Sequence, residues 1–183
     1  KSRTLELYVE QGESEHKVFA HVITPAFLNK MKFLTIGDEN RTEQWISTSR
    51  GARRLAGSNR DERLFDSDFV VADFMPSREG EYELRELADE TVAGERCHVL
   101  EVTPVGIATP YARRVVYVSA ADRILVRAEY YSESDELVRL FELDDRTFVN
   151  GAPFPRRATM HTLVEGTRTE IVLEDIATDE PIP

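Results

Sequence analysis

Hydrophobic and polar residues alternate along most of the chain, and short polar turns separate the alternating stretches. In residues 4–9, Leu5, Leu7 and Val9 alternate with more polar neighbours. A period of two residues indicates a β-strand that buries one face. The same pattern recurs about eleven times at intervals of roughly 8–12 residues, with Gly, Asn, Asp and Ser clusters between the stretches. The pattern therefore predicts a mainly β fold of about eleven antiparallel strands in a meander.

Several predicted strands are apolar on both faces. Val18 and Ala20 point one way, and Phe19 points the other. An antiparallel sheet with one face in water is apolar on the other face only. A single sheet of about eleven strands that curls on itself also leaves a lumen, because about eight strands are enough to fill a barrel with side chains. We therefore expect the inner face to line a cavity.

Residues 64–74, LFDSDFVVADF, break the alternation and predict one short apolar helix. We expect this helix to lie across the opening of the cavity as a lid. The side chains expected to turn inward are Leu64, Phe65 and Phe69. The aspartates expected to face water or to cap backbone groups are Asp66, Asp68 and Asp73. Capping is favoured over a calcium site for Asp66 and Asp68, because the loop pattern of a calcium site is missing.

Composition and charge argue against several classes of partner and architecture. The 183 residues fit one domain over 1–183, and no linker divides them. The formal net charge of −11 argues against nucleic acid and anionic membrane surfaces as partners. The one cysteine cannot form an internal disulfide, and no apolar run is long enough for a transmembrane helix.

The sequence shows no arrangement of residues typical of a catalytic or metal site. None of the four histidines is spaced as a metal-binding pair on one element. Cys97 and His98 are adjacent in a predicted strand, so they point to opposite faces and cannot form a thiolate–imidazole pair. We therefore predict no catalytic residue, no metal and no cofactor, and a protein that is not an enzyme.

Three arginine pairs and the single tryptophan have two interpretations each. In a strand, each Arg-Arg pair places one guanidinium on each face. Arg54 and Arg114 either balance the acidic surface or contact a polar head group or a partner protein at the rim of the barrel. Trp45 is either a core residue or part of the cavity wall.

Residues 44–74, QWISTSRGARRLAGSNRDERLFDSDFVVADF, resemble a segment of the outer-membrane lipoprotein-sorting proteins, the LolA-like family. The family segment has a Trp, a hairpin with Arg-Arg, Gly-Ser, and then Ser-Asp-Phe before an aromatic-acidic end. ETVAGERCHVLEVTP, VVYVSAADRILVRAEYY and PRRATMHTLVEGTRTEIVLEDI follow in the family's order. The resemblance covers nearly the whole chain.

The resemblance implies a half-open antiparallel β-barrel with a short helical lid and an apolar interior. It implies a periplasmic carrier that binds lipoprotein acyl chains or another apolar lipid, for outer-membrane sorting or a lipid exporter. An inner-membrane exporter or an outer-membrane acceptor would be its partner. The alternative is a lipoprotein-sensing regulatory domain of the same fold, as in the sigma-E regulator RseB. Family chains usually open with a helix, whereas this sequence begins with a predicted strand, so either the leading helix has been cut away or the lid is incomplete. The residues predicted to form the cavity and lid are Phe33, Trp45, Leu64, Phe65, Phe69 and Phe74.

Overall fold

The computed structural model describes residues 2–12, 15–38, 42–55, 61–74, 80–107 and 109–178. These residues form thirteen strands. The first five are β1 (Thr4–Gln11), β2 (Glu15–Thr24), β3 (Lys32–Asp38), β4 (Thr42–Thr48) and β5 (Gly51–Leu55). The others are β6 (Tyr82–Glu86), β7 (Glu90–Val92), β8 (Glu95–Pro104), β9 (Arg113–Ser119), β10 (Leu125–Tyr131), β11 (Leu137–Val149), β12 (Ala152–Thr162) and β13 (Thr167–Val172).

The strands form two antiparallel sheets. The first sheet has the order β1-β2-β3-β4-β5, and the second has the order β13-β12-β11-β10-β9-β8-β6, with β7 also paired to β8. Most neighbouring strands in a sheet are also neighbours in sequence, as short hairpin connections require. The predicted mainly β, antiparallel meander is confirmed. The prediction of a single sheet is wrong, because β5 and β6 do not pair.

Contacts within the chain group it into two compact units, each built on one sheet. The first unit is Lys1–Phe65 with Val70–Arg78, and the second is Asp66–Phe69 with Glu79–Pro183. The core of the first unit contains Phe33 and Val22, and a core cluster of the second contains Cys97 and Val99. The single domain over 1–183 stays a prediction.

The predicted helix over 64–74 is instead two short 3-10 turns, Leu64–Asp66 and Val71–Phe74. Phe65 and Asp66 have positive φ angles of 52° and 60°, which lie in the left-handed region and interrupt a right-handed helix. A third turn, Ala26–Leu28, links β2 to β3. Helical residues are thus few, as expected. None of these turns in the described residues has the length and apolar character needed to cross a bilayer.

A buried glutamine fixes the second of these turns to the first sheet. The side-chain amide of Gln44 donates hydrogen bonds to the Thr35 hydroxyl at 3.2 Å and to the Val71 carbonyl at 3.3 Å. Asp73 accepts a hydrogen bond from the Val70 N–H at 2.8 Å, so the expected capping role of Asp73 is confirmed. Packing and side-chain hydrogen bonds therefore hold a segment that is too short to be stable by itself.

Candidate ligand-binding faces

The core side of the first sheet is the first apolar face. Phe33 pairs with Ile46 across β3 and β4, so both side chains lie on this face, and both are buried. Phe74 packs its ring edge against Phe33, with the ring centroids 5.9 Å apart. Leu64 and Phe65 are buried in the same cluster. The structure therefore brings together four of the six residues that were predicted to form the cavity and lid.

This face continues onto β1, where it is open. Leu5, Leu7 and Val9 pair with Val22, Ala20 and Val18, which are buried residues of the first apolar face. Opposite residues of an antiparallel pair share a face, so the three side chains extend it. They are nevertheless 41%, 47% and 57% exposed. Three apolar side chains in a row on one exposed strand face are typical of a surface that binds an apolar partner.

Trp45 lies on the other side of the first sheet. It falls between the buried residues Gln44 and Ile46 of β4 and is 38% exposed. Its cross-strand neighbours are Leu34 and Arg54. Strand neighbours alternate between faces, so Trp45 and Phe33 cannot line the same wall. Arg54, also on this outer side, forms an ion pair with Glu43 at 3.3 Å.

One side of the second sheet is the second apolar face, and two cross-strand rows define it. The first row is Ala128, Phe141, Met160 and Thr169. The second row is Arg114, Tyr130, Arg139, Thr162 and Thr167. Phe69 is buried and packs its ring edge against Phe141, with the centroids 6.3 Å apart. The predicted inward orientation of Phe69 therefore holds, and its neighbours are residues of the second sheet.

Arg114 stands at the start of the second row, where its guanidinium lies 4.8 Å from the centre of the Tyr82 ring. Tyr130 pairs with Arg114 on one side and with Arg139 on the other. The predicted rim arginine therefore lies on a face that carries both apolar and polar side chains, two strands from a second arginine. Its proposed contact with a polar head group stays a prediction.

Asp68 is buried at the second apolar face and is 5% exposed. Its two carboxylate oxygens accept hydrogen bonds from the hydroxyls of Thr167 at 2.5 Å and Thr169 at 2.7 Å. Its own backbone N–H donates to the Thr169 hydroxyl at 2.8 Å. The expectation that Asp68 faces water is wrong, because its carboxylate is buried and accepts hydrogen bonds from two threonines of β13. Asp66, by contrast, is exposed as expected.

Arg139 lies beside Asp68 and is the feature that the sequence interpretation missed. Its guanidinium is buried and donates hydrogen bonds to the Tyr111 hydroxyl and to the Asp68 backbone carbonyl. It also lies within 5.7 Å of the ring centres of Tyr111 and Tyr130. In LVRLFEL the arginine occupies an inward position that it shares with Phe141 and Leu143. A charged residue in the apolar register of a strand is the signal that could have identified it.

Glu95, at the start of β8, forms a separate ion-pair cluster with Arg146 and Asp122. Arg146 donates hydrogen bonds to both carboxylate oxygens of Glu95 and, at 2.6 Å, to Asp122. The Arg146 guanidinium is the main reason that the pKa of Glu95 is lowered. Every charge in this cluster has a partner of opposite sign, so we assign it a structural role.

Cys97 and His98 do not act together. Cys97 is fully buried, and burial raises the pKa of its thiol, which disfavours the reactive thiolate. His98 contacts Asp89 at 3.1 Å on the exposed side of the strand. In the described part of the chain, no group of three His, Cys, Asp or Glu side chains could hold a metal ion.

An open cavity of about 270 Å³ lies at the far end of β11, β12 and β13. It is lined by Thr147, Val149, Arg156, Leu173, Glu174, Asp175 and Ile176. One basic residue, Arg156, and two acidic residues line it, so the cavity wall carries charges of both signs. It does not have the apolar lining that an acyl chain needs.

Comparisons with known proteins agree with this architecture. A comparison with curated protein sequences finds no match. The structure of a DUF1329 family protein from Desulfovibrio piger is similar with a TM-score of 0.90 and 24% identity, over 99% of this chain and 80% of that chain. A candidate outer membrane lipoprotein-sorting protein domain from Vibrio parahaemolyticus has a TM-score of 0.83 and 17% identity, over 97% of this chain and 80% of that one.

A LolA superfamily protein from Nitrosomonas europaea is similar with a TM-score of 0.56 and 16% identity, over 94% of this chain and 84% of its own length. A family model described as "-like: Uncharacterized protein" matches residues 14–183. The resemblance seen in the sequence is thus confirmed. The chain belongs to the family that this model describes, and its fold is that of the LolA-like, outer-membrane lipoprotein-sorting proteins.

Proposed function

We propose that the protein is a non-enzymatic periplasmic carrier that binds lipoprotein acyl chains or another lipid through its apolar faces. The observation that carries the proposal is the first apolar face, which stays open along β1 at Leu5, Leu7 and Val9. The names of two structural relatives, a lipoprotein-sorting domain and a LolA superfamily protein, support a lipid ligand and a periplasmic location.

The open face has the size and chemistry for an acyl chain. From Leu5 to Val9 the strand rises by roughly 14 Å. Burial of each methylene stabilises a complex by about 0.8 kcal/mol. Eight methylenes therefore contribute about 6 kcal/mol, and the cost of ordering the ligand and the strand reduces that gain. The free energy that remains after these costs gives a moderate affinity. A ligand can then be both bound and released, as a carrier requires.

Substitution of Leu7 by aspartate tests the proposal. Leu7 is 47% exposed on an edge strand, so Leu7→Asp should leave the protein folded. The charge interrupts the apolar row, and we expect it to weaken binding of a fluorescent hexadecanoyl probe at least about tenfold. Phe148→Asp, which changes a 64% exposed apolar residue of the second sheet, is the matched control. Equal probe affinity of Leu7→Asp and the parent protein would refute the role of this face.

Mass spectrometry of lipids extracted from the purified protein is the direct test of the carrier role. A bound acyl lipid supports it. Recovery of the protein without lipid, in a stable complex with a regulatory protein, favours the lipoprotein-sensing alternative instead.

A further inference from the structure

Arg139 is a buried cation in a surface that is otherwise suited to apolar ligands. It is 6% exposed, and it shares a face with Phe141, Met160 and Ala128. Removing a guanidinium from water is costly unless hydrogen bonds and an opposite charge compensate for the lost hydration. A surface that binds only apolar ligands does not need a buried guanidinium. The presence of Arg139 therefore indicates a further role for this face.

The groups that compensate Arg139 belong partly to a short connecting segment. The guanidinium contacts the Asp68 carbonyl, and the carboxylate of the same residue is held by Thr167 and Thr169. The next residue, Phe69, covers Phe141. Two consecutive residues thus present an anion and an apolar ring to the second apolar face.

Side chains of the second sheet contact residues 66–69, namely those of Arg139, Phe141, Thr167 and Thr169. The N–H of Asp68 donates to the Thr169 hydroxyl, and the N–H of Phe69 donates to the Ser67 hydroxyl at 3.2 Å. Asp66, at the start of the segment, has a positive φ angle. Segments that lack a ladder of backbone hydrogen bonds open at the lowest free-energy cost. Residues 66–69 are not part of a strand, so a ligand can displace them without breaking a strand ladder.

Displacement of residues 66–69 restricts which class of ligand can bind to this face. A neutral apolar molecule can replace Phe69 on Phe141, but it leaves the Arg139 guanidinium without the Asp68 carbonyl, and the Thr167 and Thr169 hydroxyls without the Asp68 carboxylate. An amphiphile with an anionic head group replaces both residues at once. The Thr167 and Thr169 hydroxyls donate to its oxygens as they do to the Asp68 carboxylate.

We propose that Arg139, Thr167 and Thr169 form a binding site for the carboxylate or phosphate head group of an anionic amphiphile, and that Asp68 and Phe69 occupy this site when the ligand is absent. This inference rests on the proposed lipid-binding function. It adds a selection by charge, which the open apolar face of the first sheet does not supply.

The test compares ligands that share one alkyl chain. Decanoate, decyl phosphate and decanol are titrated into the delipidated full chain by calorimetry, with acetate and inorganic phosphate as head groups without a chain. We expect both anionic amphiphiles to bind at least about tenfold more tightly than decanol, and the short anions to bind far more weakly. Decanol binding equal to decanoate overturns this inference and leaves the proposed function intact. Acetate or phosphate binding as tight as that of the amphiphiles shows a site for free anions and also overturns it.

Two variants of the same segment locate the site. Asp68→Asn removes the internal anion with little change of shape, so we expect decanoate affinity to rise about tenfold while decanol affinity is unchanged. Asp66→Asn makes the same chemical change at an exposed position two residues away and should have no effect. Equal behaviour of the two variants refutes the exchange of Asp68 for a ligand.

Arg139→Met should remove the preference for anionic amphiphiles and retain decanol binding. If this variant does not fold, the Asp68→Asn and Asp66→Asn comparison decides the question alone. Failure of decanoate, decyl phosphate and decanol alike to bind the parent protein refutes the proposed function itself, and the inference falls with it.

Discussion

Replacement of Phe33 by alanine should destabilise the first sheet more than any surface substitution. Phe33 is 1% exposed and contacts Phe74 edge-on. Substitution of a buried Phe by Ala costs about 3–5 kcal/mol, because both apolar burial and packing are lost. The aromatic pair accounts for about 0.5–1.5 kcal/mol of this loss. Phe27, 81% exposed in the turn between β2 and β3, is the control, and Phe27→Ala should cost less than about 0.5 kcal/mol.

The single tryptophan gives a local probe for this measurement. Trp45 lies on β4 next to Ile46, the cross-strand partner of Phe33. Its fluorescence therefore follows unfolding of the first sheet during urea denaturation. With a urea dependence of about 2 kcal/mol per molar, a loss of 4 kcal/mol lowers the midpoint by about 2 M. Phe33→Leu, which keeps most of the volume, should give a smaller shift and covers the case in which Phe33→Ala does not fold.

Equal urea midpoints for Phe33→Ala and Phe27→Ala would refute the assignment of Phe33 to the core. A double-mutant cycle with Phe74→Ala separates the ring contact from simple burial. We expect a coupling of about 0.5–1.5 kcal/mol between the two rings. Additive effects would show that the two side chains do not contact each other in solution.

The other predictions concern charge, chemistry and the short segment. Because Arg146 lowers the pKa of Glu95, their pairing stabilises the fold at neutral pH, and this contribution is lost as the pH falls from the ordinary pKa of a glutamate through the lowered pKa of Glu95. Arg146→Met should cost about 2 kcal/mol at pH 7 and less in strong acid, and a pH-independent loss in urea titrations would contradict this account. Cys97→Ala and His98→Ala should change stability by at most a few kcal/mol and leave acyl-probe binding nearly unchanged; a loss of activity in a folded variant would indicate an enzyme. Phe69→Asp should release residues 66–69 from Phe141, seen as faster amide hydrogen exchange, and should weaken probe binding; unchanged exchange would show that other contacts fix the segment.

The strands were predictable because their signal is local. Alternation over a few residues specifies which side chains share a face, so Leu5, Leu7 and Val9 were placed correctly without any tertiary information. This local signal is insufficient at residues 82–92. The sequence pattern there predicts one strand, whereas the structure has β6 and β7 with a break between them. Here Leu87 leaves the strand pattern, and its N–H bonds to the Val99 carbonyl. The break in pairing between β5 and β6, which divides the described strands into two sheets, is not encoded in any short window.

The candidate site was predictable only in part. An apolar segment after β5 was identified, and Leu64, Phe65 and Phe69 are buried as expected. The prediction of one helix was wrong, because positive φ angles at non-glycine residues leave no pattern in the sequence. The surroundings of Asp68 were also beyond sequence analysis. Its partners Thr167 and Thr169 are about a hundred residues away, and only the folded second sheet brings them together.

The open side of β1 has a further consequence, for association of the protein with itself. β1 is the last strand of the first sheet in the described residues, so the backbone groups on its outer side are not paired within that sheet. An exposed edge with an apolar face is a template for pairing with another chain. Glu6 and Glu10 alternate with the apolar residues, and their charges oppose such pairing at neutral pH. Substitution of both glutamates by glutamine removes this repulsion, so the strand that is best placed to receive a lipid should then also be the first to promote aggregation.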